Sequence, residues 1–184
     1  MQREIEIKAQ VDNLEVVIQR LESLGCTFSA PIDQEDRIYA AEDIFSETHA
    51  PNPNVLRIRI ETKNNNTRTL FTFKRNQSNE LDCLERETEI GDPQVMGDIL
   101  EFIGYQESIR VHKIRRKGTI NGLEVCCDQV EGLGDFIEVE KMSDADGETV
   151  QAELWQWLEE LTIGSLKRVT QGYDTLLYNK THTS

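Results

Sequence analysis

The sequence predicts an α+β fold, a closed antiparallel eight-stranded β-barrel with helices packed outside. Three observations lead there. Segments that alternate charged and aliphatic residues recur along the 184-residue chain; most are joined by short turns rich in Asn or Gly; and only three stretches carry helical spacing. Alternation at period two places charged side chains on one face of a strand and aliphatic ones on the other. Strands joined by tight turns pair antiparallel, and about eight of them can close on themselves to remove exposed edges.

The first such segment is REIEIKAQV, residues 3 to 11, with Glu4, Glu6 and Lys8 on one face and Ile5, Ile7 and Ala9 on the other. Alternate residues on one face lie about 7 Å apart, so two carboxylates there repel unless a cation or solvent offsets them. VDNLEVVIQRLESLG, residues 11 to 25, reads as a helix capped by Asp12 or Asn13, with a stripe of Leu14, Val17, Ile18 and Leu21 and a stop at Gly25. Residues 32 to 45 read as an extended segment leading to a loop, and APNPN, residues 50 to 54, as a turn.

Three strands follow closely: VLRIRIE at 55 to 61, TLFTFKR at 69 to 75 and LDCLERETEI at 81 to 90, with turns at Asn64 to Thr67 and Asn76 to Glu80. Arg57, Arg59 and Glu61 share a face opposite Leu56, Ile58 and Ile60, and Thr72 and Lys74 stand opposite Phe71 and Phe73. In the third strand Glu85, Glu87 and Glu89 share one face and Arg86 takes the other. A second helix spans Asp92 to Gly104. Strands resume at 107 to 117, 119 to 130 and 135 to 142, and a third helix covers 148 to 162, where Trp155 and Trp157 are packing residues. The whole reads as a single domain over residues 1 to 180, with a short tail at 181 to 184.

Composition narrows the function. No apolar run approaches the roughly 20 residues that cross a bilayer, which argues against a membrane protein. The chain begins on a charged strand without a signal-peptide hydrophobic region, so a cytoplasmic location is expected. A net charge of −14 argues against nucleic acid as a partner, since a phosphate backbone needs a positive surface. A small anion held by a local cluster of bases is compatible with it. Cys26, Cys83, Cys126 and Cys127 lack CxxC spacing and read as reduced, buried thiols; with three scattered histidines they argue against a zinc site. Any metal would be held by oxygen, which suits Mg²⁺ or Mn²⁺. A homodimer is compatible with the sequence, though nothing in it specifies one.

The charged faces carry the chemistry. Arg57, Arg59, Lys74, Lys113 and Arg115 are basic, while Glu4 with Glu6 and Glu138 with Glu140 form two carboxylate pairs at alternate positions. If the aliphatic faces pack against outer helices, the charges line the barrel interior, where they are costly without a ligand. Arg and Lys beside carboxylate-held metal complement a chain of phosphates, so the expected ligand is a triphosphate. The alternative puts the charges outside, paired across strands, and asks the aliphatic faces alone to fill the barrel.

These residues resemble a known family. Glu4-Ile5-Glu6-Ile7-Lys8 is similar to the N-terminal ExExK signature of the CYTH superfamily, the triphosphate tunnel metalloenzymes. LRIRI at 56 to 60, FTFKR at 71 to 75, HKIRR at 112 to 116 and DQVEGLGDFIEVE at 128 to 140 extend the resemblance nearly end to end. The GLGDFIEVE segment and the QGYDTLLY tail look most like the branch of class IV adenylate cyclases and thiamine triphosphatases, with Gly172 where that tail has serine. The resemblance implies that Glu4, Glu6, Glu138 and Glu140 hold Mg²⁺ or Mn²⁺, and that Arg57, Arg59, Lys74, Lys113 and Arg115 bind triphosphate oxygens. It further implies that Lys8 contacts phosphate or assists the nucleophile and that Asp128 helps position metal or water. Gly132 and Gly134 read as turn residues. The implied substrate is ATP, thiamine triphosphate or inorganic triphosphate. The first expectation is a cyclase making cyclic AMP and pyrophosphate; the alternatives are a triphosphatase and a non-catalytic polyphosphate or nucleotide sensor.

Overall fold

A computed structural model describes residues 3–41, 54–161 and 164–182. Ten strands are formed by β1 (Arg3–Val11), β2 (Thr27–Phe28), β3 (Ile32–Ala40), β4 (Asn54–Lys63), β5 (Asn66–Asn76), β6 (Asp82–Ile90), β7 (Gln106–Ile120), β8 (Leu123–Val130), β9 (Gly134–Ser143) and β10 (Leu166–Val169). The four helices are α1 (Leu14–Ser23), α2 (Pro93–Phe102), α3 (Gly147–Glu160) and α4 (Tyr173–His182).

Eight strands pair antiparallel in the order β1-β6-β5-β4-β3-β7-β8-β9, and β9 returns to β1, closing the barrel. The two short strands lie off this ring: β2 pairs with β7, and β10 pairs with the second half of β1. Most seams are long, but β1 meets β6 through only Glu4↔Cys83 and Ile5↔Asp82. Gln151 of α3 staples that seam, donating to the Glu6 carbonyl at 2.9 Å and the Leu81 carbonyl at 3.4 Å. Arg3 adds an ion pair to the fully buried Asp82.

Local chemistry sets the element ends. Asn64 and Asn65 both have positive φ, 49° and 65°, which makes the two-residue β4–β5 hairpin turn that matches strand twist. Asn121 and Gly122 do the same between β7 and β8. The sequence reading joined Thr119 and Ile120 to the later strand; the structure corrects this, since the Asn-Gly turn falls after them and both belong to β7. Asn13, not Asp12, caps α1, its side chain accepting from the Val16 amide. The proposed turn at 50 to 54 lies outside the described residues, apart from Asn54, which begins β4.

The aliphatic faces point outward, under the helices. Ile5, Ile7, Ile137 and Val139 pack with Val17, Ile18 and Leu21 of α1 and Val150, Leu154 and Leu158 of α3, with both tryptophans against the same cluster. Leu100 of α2 covers Tyr39, Leu56 and Ile58. A third cluster, of Val111, Val130, Phe136 and Tyr173, joins α4 to the barrel. The sequence reading had no helix at α4: its apolar residues are spaced without a clean stripe, and docking against the barrel supplies what periodicity does not show. Among the described residues no helix is long and apolar enough to cross a membrane.

Candidate active site

With the aliphatic faces outside, the alternate positions must face in. They line a cavity of about 440 Å³ whose walls include Glu4, Glu6, Lys8, Arg57, Arg59, Lys74, Lys113, Arg115, Glu138 and Glu140. Of the sequence-derived site residues only Asp128 lies outside this wall, fully buried behind Arg115. Glu85 and Glu87 also face inward, which settles the orientation of β6; Arg86 points out.

Strand register divides the four glutamates differently from the sequence pairing. Glu6 lies opposite Glu140 and Lys8 opposite Glu138 across the β1–β9 seam. Oxygens of Glu4, Glu6 and Glu140 all come within 4.8 Å of one another, a set able to hold a metal ion. Glu138 stands apart from them, paired with Lys8 at 3.2 Å and with Arg115. Glu140 is shared with a neighbouring group that also contains Glu124 and Cys126.

The ionisation of these groups follows their neighbours. Burial, then Glu4, Glu124 and Glu6, push Glu140 up to about 9. Burial and the Glu138 charge push Glu6 up to about 7, and burial and Glu85 raise Glu4. Burial acts upward on Glu138 too, but Arg115, Lys8 and Lys113 outweigh it and hold its carboxyl well below the usual range. Three acids crowd without enough positive charge, while the fourth is embedded in it.

A pH dependence follows. An acid whose folded pKa is raised loses its stabilising protonated state as pH climbs from the unfolded value toward the folded one. His112, raised between Asp33 and Glu131 despite burial acting downward, works in the same direction above about 6.5. Lys113, lowered to about 8, opposes them only above that pH. The metal-free protein is therefore expected to lose stability between about pH 4.5 and 8, and Mg²⁺ or Mn²⁺ to restore part of it. Thermal melting across that range, with chelator and with each ion, checks this.

The bases differ in how fully they are satisfied. Arg59 forks onto Asp36 at 2.6 and 2.7 Å, and Arg115 forks onto Asp128 while also reaching Glu138. Lys74 holds Glu85 at 2.6 Å. Arg57 is poorly matched: it donates to Thr72 at 3.2 Å, its carboxylate neighbours Glu87 and Glu85 are at 3.6 and 3.8 Å, and its Nε is buried with no partner. Among the described residues the carboxylate that Lys113 pairs with is Asp128, at 3.6 Å, and burial, then Arg115 and Arg59, bring its pKa down to about 8. Arg57 and Lys113 are thus the cations with most to gain from an anionic ligand.

Sequence reasoning missed Asp36, whose carboxylate lies far below its usual range because Arg59 overrides burial. The signal was present in IDQEDRIY, where Gln34, Asp36 and Ile38 alternate, but the segment was read only as extended chain. For Tyr173, in the QGYDTLLY tail, the sequence offers two readings, a lid or a core residue, and favours core. The ring is 7% exposed, as a core residue would be, yet it forms part of the cavity wall.

Comparison with known proteins agrees with this architecture. Residues 2–173 match the CYTH domain family. A Methanocaldococcus jannaschii protein named "putative adenylate cyclase" is 31% identical over 175 residues, spanning 92% of this chain and 95% of that one. The solved structure of the PH1819 protein of Pyrococcus horikoshii superposes with a TM-score of 0.81 at 29% identity, covering 96% of this chain and 99% of that one. A Vibrio parahaemolyticus structure, also titled "putative adenylate cyclase", shares the fold with a TM-score of 0.75 at 18% identity, over 96% of this chain and 98% of that one.

Proposed function

The chain belongs to the CYTH family, and from that premise we propose that it is a metal-dependent enzyme that converts ATP to cyclic AMP and pyrophosphate. One observation carries the triphosphate reading: under-satisfied cations, Arg57 and Lys113, share one cavity with three carboxylates that crowd without enough positive charge. The name of its Methanocaldococcus jannaschii relative favours the cyclase.

Glu4, Glu6 and Glu140 would hold Mg²⁺ or Mn²⁺, because an all-oxygen set suits a hard cation. When bound, such an ion supplies Lewis acidity and neutralises charge on phosphate oxygens. Arg57, Lys113, Lys74 and Lys8 orient the phosphates and offset the charge that develops on them, and Arg59 and Arg115, braced by Asp36 and Asp128, present fixed guanidinium planes. Asp128 acts by holding Arg115. In cyclisation the ribose 3′ oxygen bonds to the α-phosphorus, the bond from that phosphorus to the β-bridging oxygen breaks, pyrophosphate leaves, and the hydroxyl proton is released.

A second reading is hydrolysis of inorganic, thiamine or nucleoside triphosphate, by water attacking the terminal phosphorus. It is favoured by the cavity lining. Tyr173 is the only aromatic residue among the described residues that line it, and Lys8 and Lys113 lie over that ring. Among the described residues no free ring is left in the cavity wall to stack a base, which suits a substrate gripped by its phosphates.

Incubating the protein with ATP, thiamine triphosphate and inorganic triphosphate, each with Mg²⁺ or Mn²⁺, separates the readings. Cyclic AMP with pyrophosphate is expected. Inorganic phosphate as the product establishes the hydrolase, and binding without turnover overturns both.

A further inference from the structure

We propose that Tyr173, delivered by α4, is a positioning residue that sets Lys8 and Lys113 for the phosphates of the ligand; the proposal rests on the triphosphate reading above. The Lys8 Nζ lies 4.2 Å from the ring centroid and the Lys113 Nζ 4.9 Å from it. The Tyr173 hydroxyl donates to Asp128 at 2.9 Å, the same carboxylate that Arg115 forks and Lys113 approaches. One ring thus touches two cavity cations by its π system and reaches a third through Asp128. Phe136 meets it edge-on with centroids 5.1 Å apart, fixing its plane.

The backbone around Tyr173 is anchored as a unit. Glu80 accepts from the Gly172 amide at 2.8 Å and from the Thr175 hydroxyl at 2.9 Å. Lys8 donates to the Gln171 carbonyl at 3.1 Å, and Lys180, farther along α4, reaches the Gly132 carbonyl at 2.6 Å. A residue needed only for packing would not require a latch at the start of its helix or a polar end in the cavity wall. An aromatic face attracts ammonium groups without competing for them as a carboxylate would. Lys113, whose carboxylate neighbour Asp128 is at 3.6 Å, is thereby held in place yet remains available to phosphate, and Lys8 is held at the same ring beside its own carboxylates.

Lys113 reports on the arrangement. It is faced by Asp128 on β8, Arg115 on its own strand, Arg59 on β4, Asp36 on β3, Glu138 on β9 and the Tyr173 ring on α4. Burial and the two arginines already disfavour its charge, bringing it to about 8. Removing the ring removes an attraction for the ammonium, so the charge is lost at lower pH.

The test is calorimetric binding of an imido-bridged tripolyphosphate, which resists cleavage, with Mg²⁺ between pH 6.5 and 9, for the wild type, Tyr173→Phe and Tyr173→Leu. Circular dichroism establishes that each is folded. Tyr173→Phe keeps the ring and is expected within about threefold of wild type, with the same pH profile. Tyr173→Leu is expected to bind about tenfold more weakly at pH 7.5, its affinity falling off at lower pH than that of the wild type. Protonation of the ligand is common to all three proteins and cancels. If Tyr173→Leu does not fold, Glu80→Ala, which releases the start of α4, is expected to weaken binding in the same direction. Wild-type affinity and pH profile in Tyr173→Leu, or in Glu80→Ala where that variant replaces it, overturn the role of Tyr173 while leaving the triphosphate reading intact. Absence of binding by the wild type overturns both.

Discussion

Glu140→Gln is expected to lower metal-dependent turnover by about 100-fold or more, yet make the metal-free protein more stable than wild type near pH 7. Glu140 is one of three carboxylates whose oxygens gather within 4.8 Å, so its loss removes a ligand from the proposed cation site. Without metal its pKa is pushed up to about 9, by burial and then by Glu4, Glu124 and Glu6, so the side chain is mainly neutral at pH 7. Glutamine has nearly the same shape as that neutral form but takes up no proton on folding, so the cost that glutamate carries above its unfolded pKa is removed. The variant also weakens the stability loss between about pH 4.5 and 8, because one of the repelling groups is gone. Steady-state turnover with Mg²⁺ or Mn²⁺, and urea unfolding in chelator, measure the two halves of this expectation.

Glu138→Gln, two residues away, is expected to behave in the opposite sense. Glu138 is 4% exposed and stands between Lys8 and Arg115. Replacing it leaves two buried cations short of an anion, and the expected cost is about 3 to 5 kcal/mol of folding stability. Lys8 keeps Glu6 at 3.6 Å and Arg115 keeps Asp128, which places the cost toward the lower end of that range. Denaturant unfolding measures it directly. A Glu138→Gln protein of wild-type stability that has lost all metal-dependent turnover would instead make Glu138 a metal ligand and remove the division of labour drawn between Glu138 and Glu140.

That division shows what the sequence could and could not say. The alternation in REIEIK and FIEVE makes the inward face of each strand readable from one chain, because side chains in a strand have a period of two and the helices take the other face. The barrel and the inward-facing Glu, Arg and Lys residues of β1, β4, β5, β7 and β9 follow from that pattern, whereas α4 does not. Partners across the interior do not. The two glutamate pairs look equivalent in sequence, and only the β1–β9 register, which sets Glu6 opposite Glu140 and Lys8 opposite Glu138, groups Glu140 with Glu4 and Glu6 as candidate ligands and leaves Glu138 a counter-ion. Asp36 was hidden for the same reason, since its meaning depends on facing Arg59 across β3 and β4. Tyr173 was legible as a buried aromatic residue. Its contacts with Lys8 and Lys113 are set by how α4 docks, which is tertiary and leaves no local signature.

The central claim is that the barrel interior binds a triphosphate together with a divalent cation, and calorimetric titration of imido-bridged tripolyphosphate with Mn²⁺ tests it most directly. One molecule is expected to bind per barrel, more weakly as salt rises. Arg57→Ala is expected to reduce the affinity about tenfold or more, because the least satisfied cation of the cavity is removed. Absence of binding by the wild type, or binding that Arg57→Ala leaves unchanged, would contradict it.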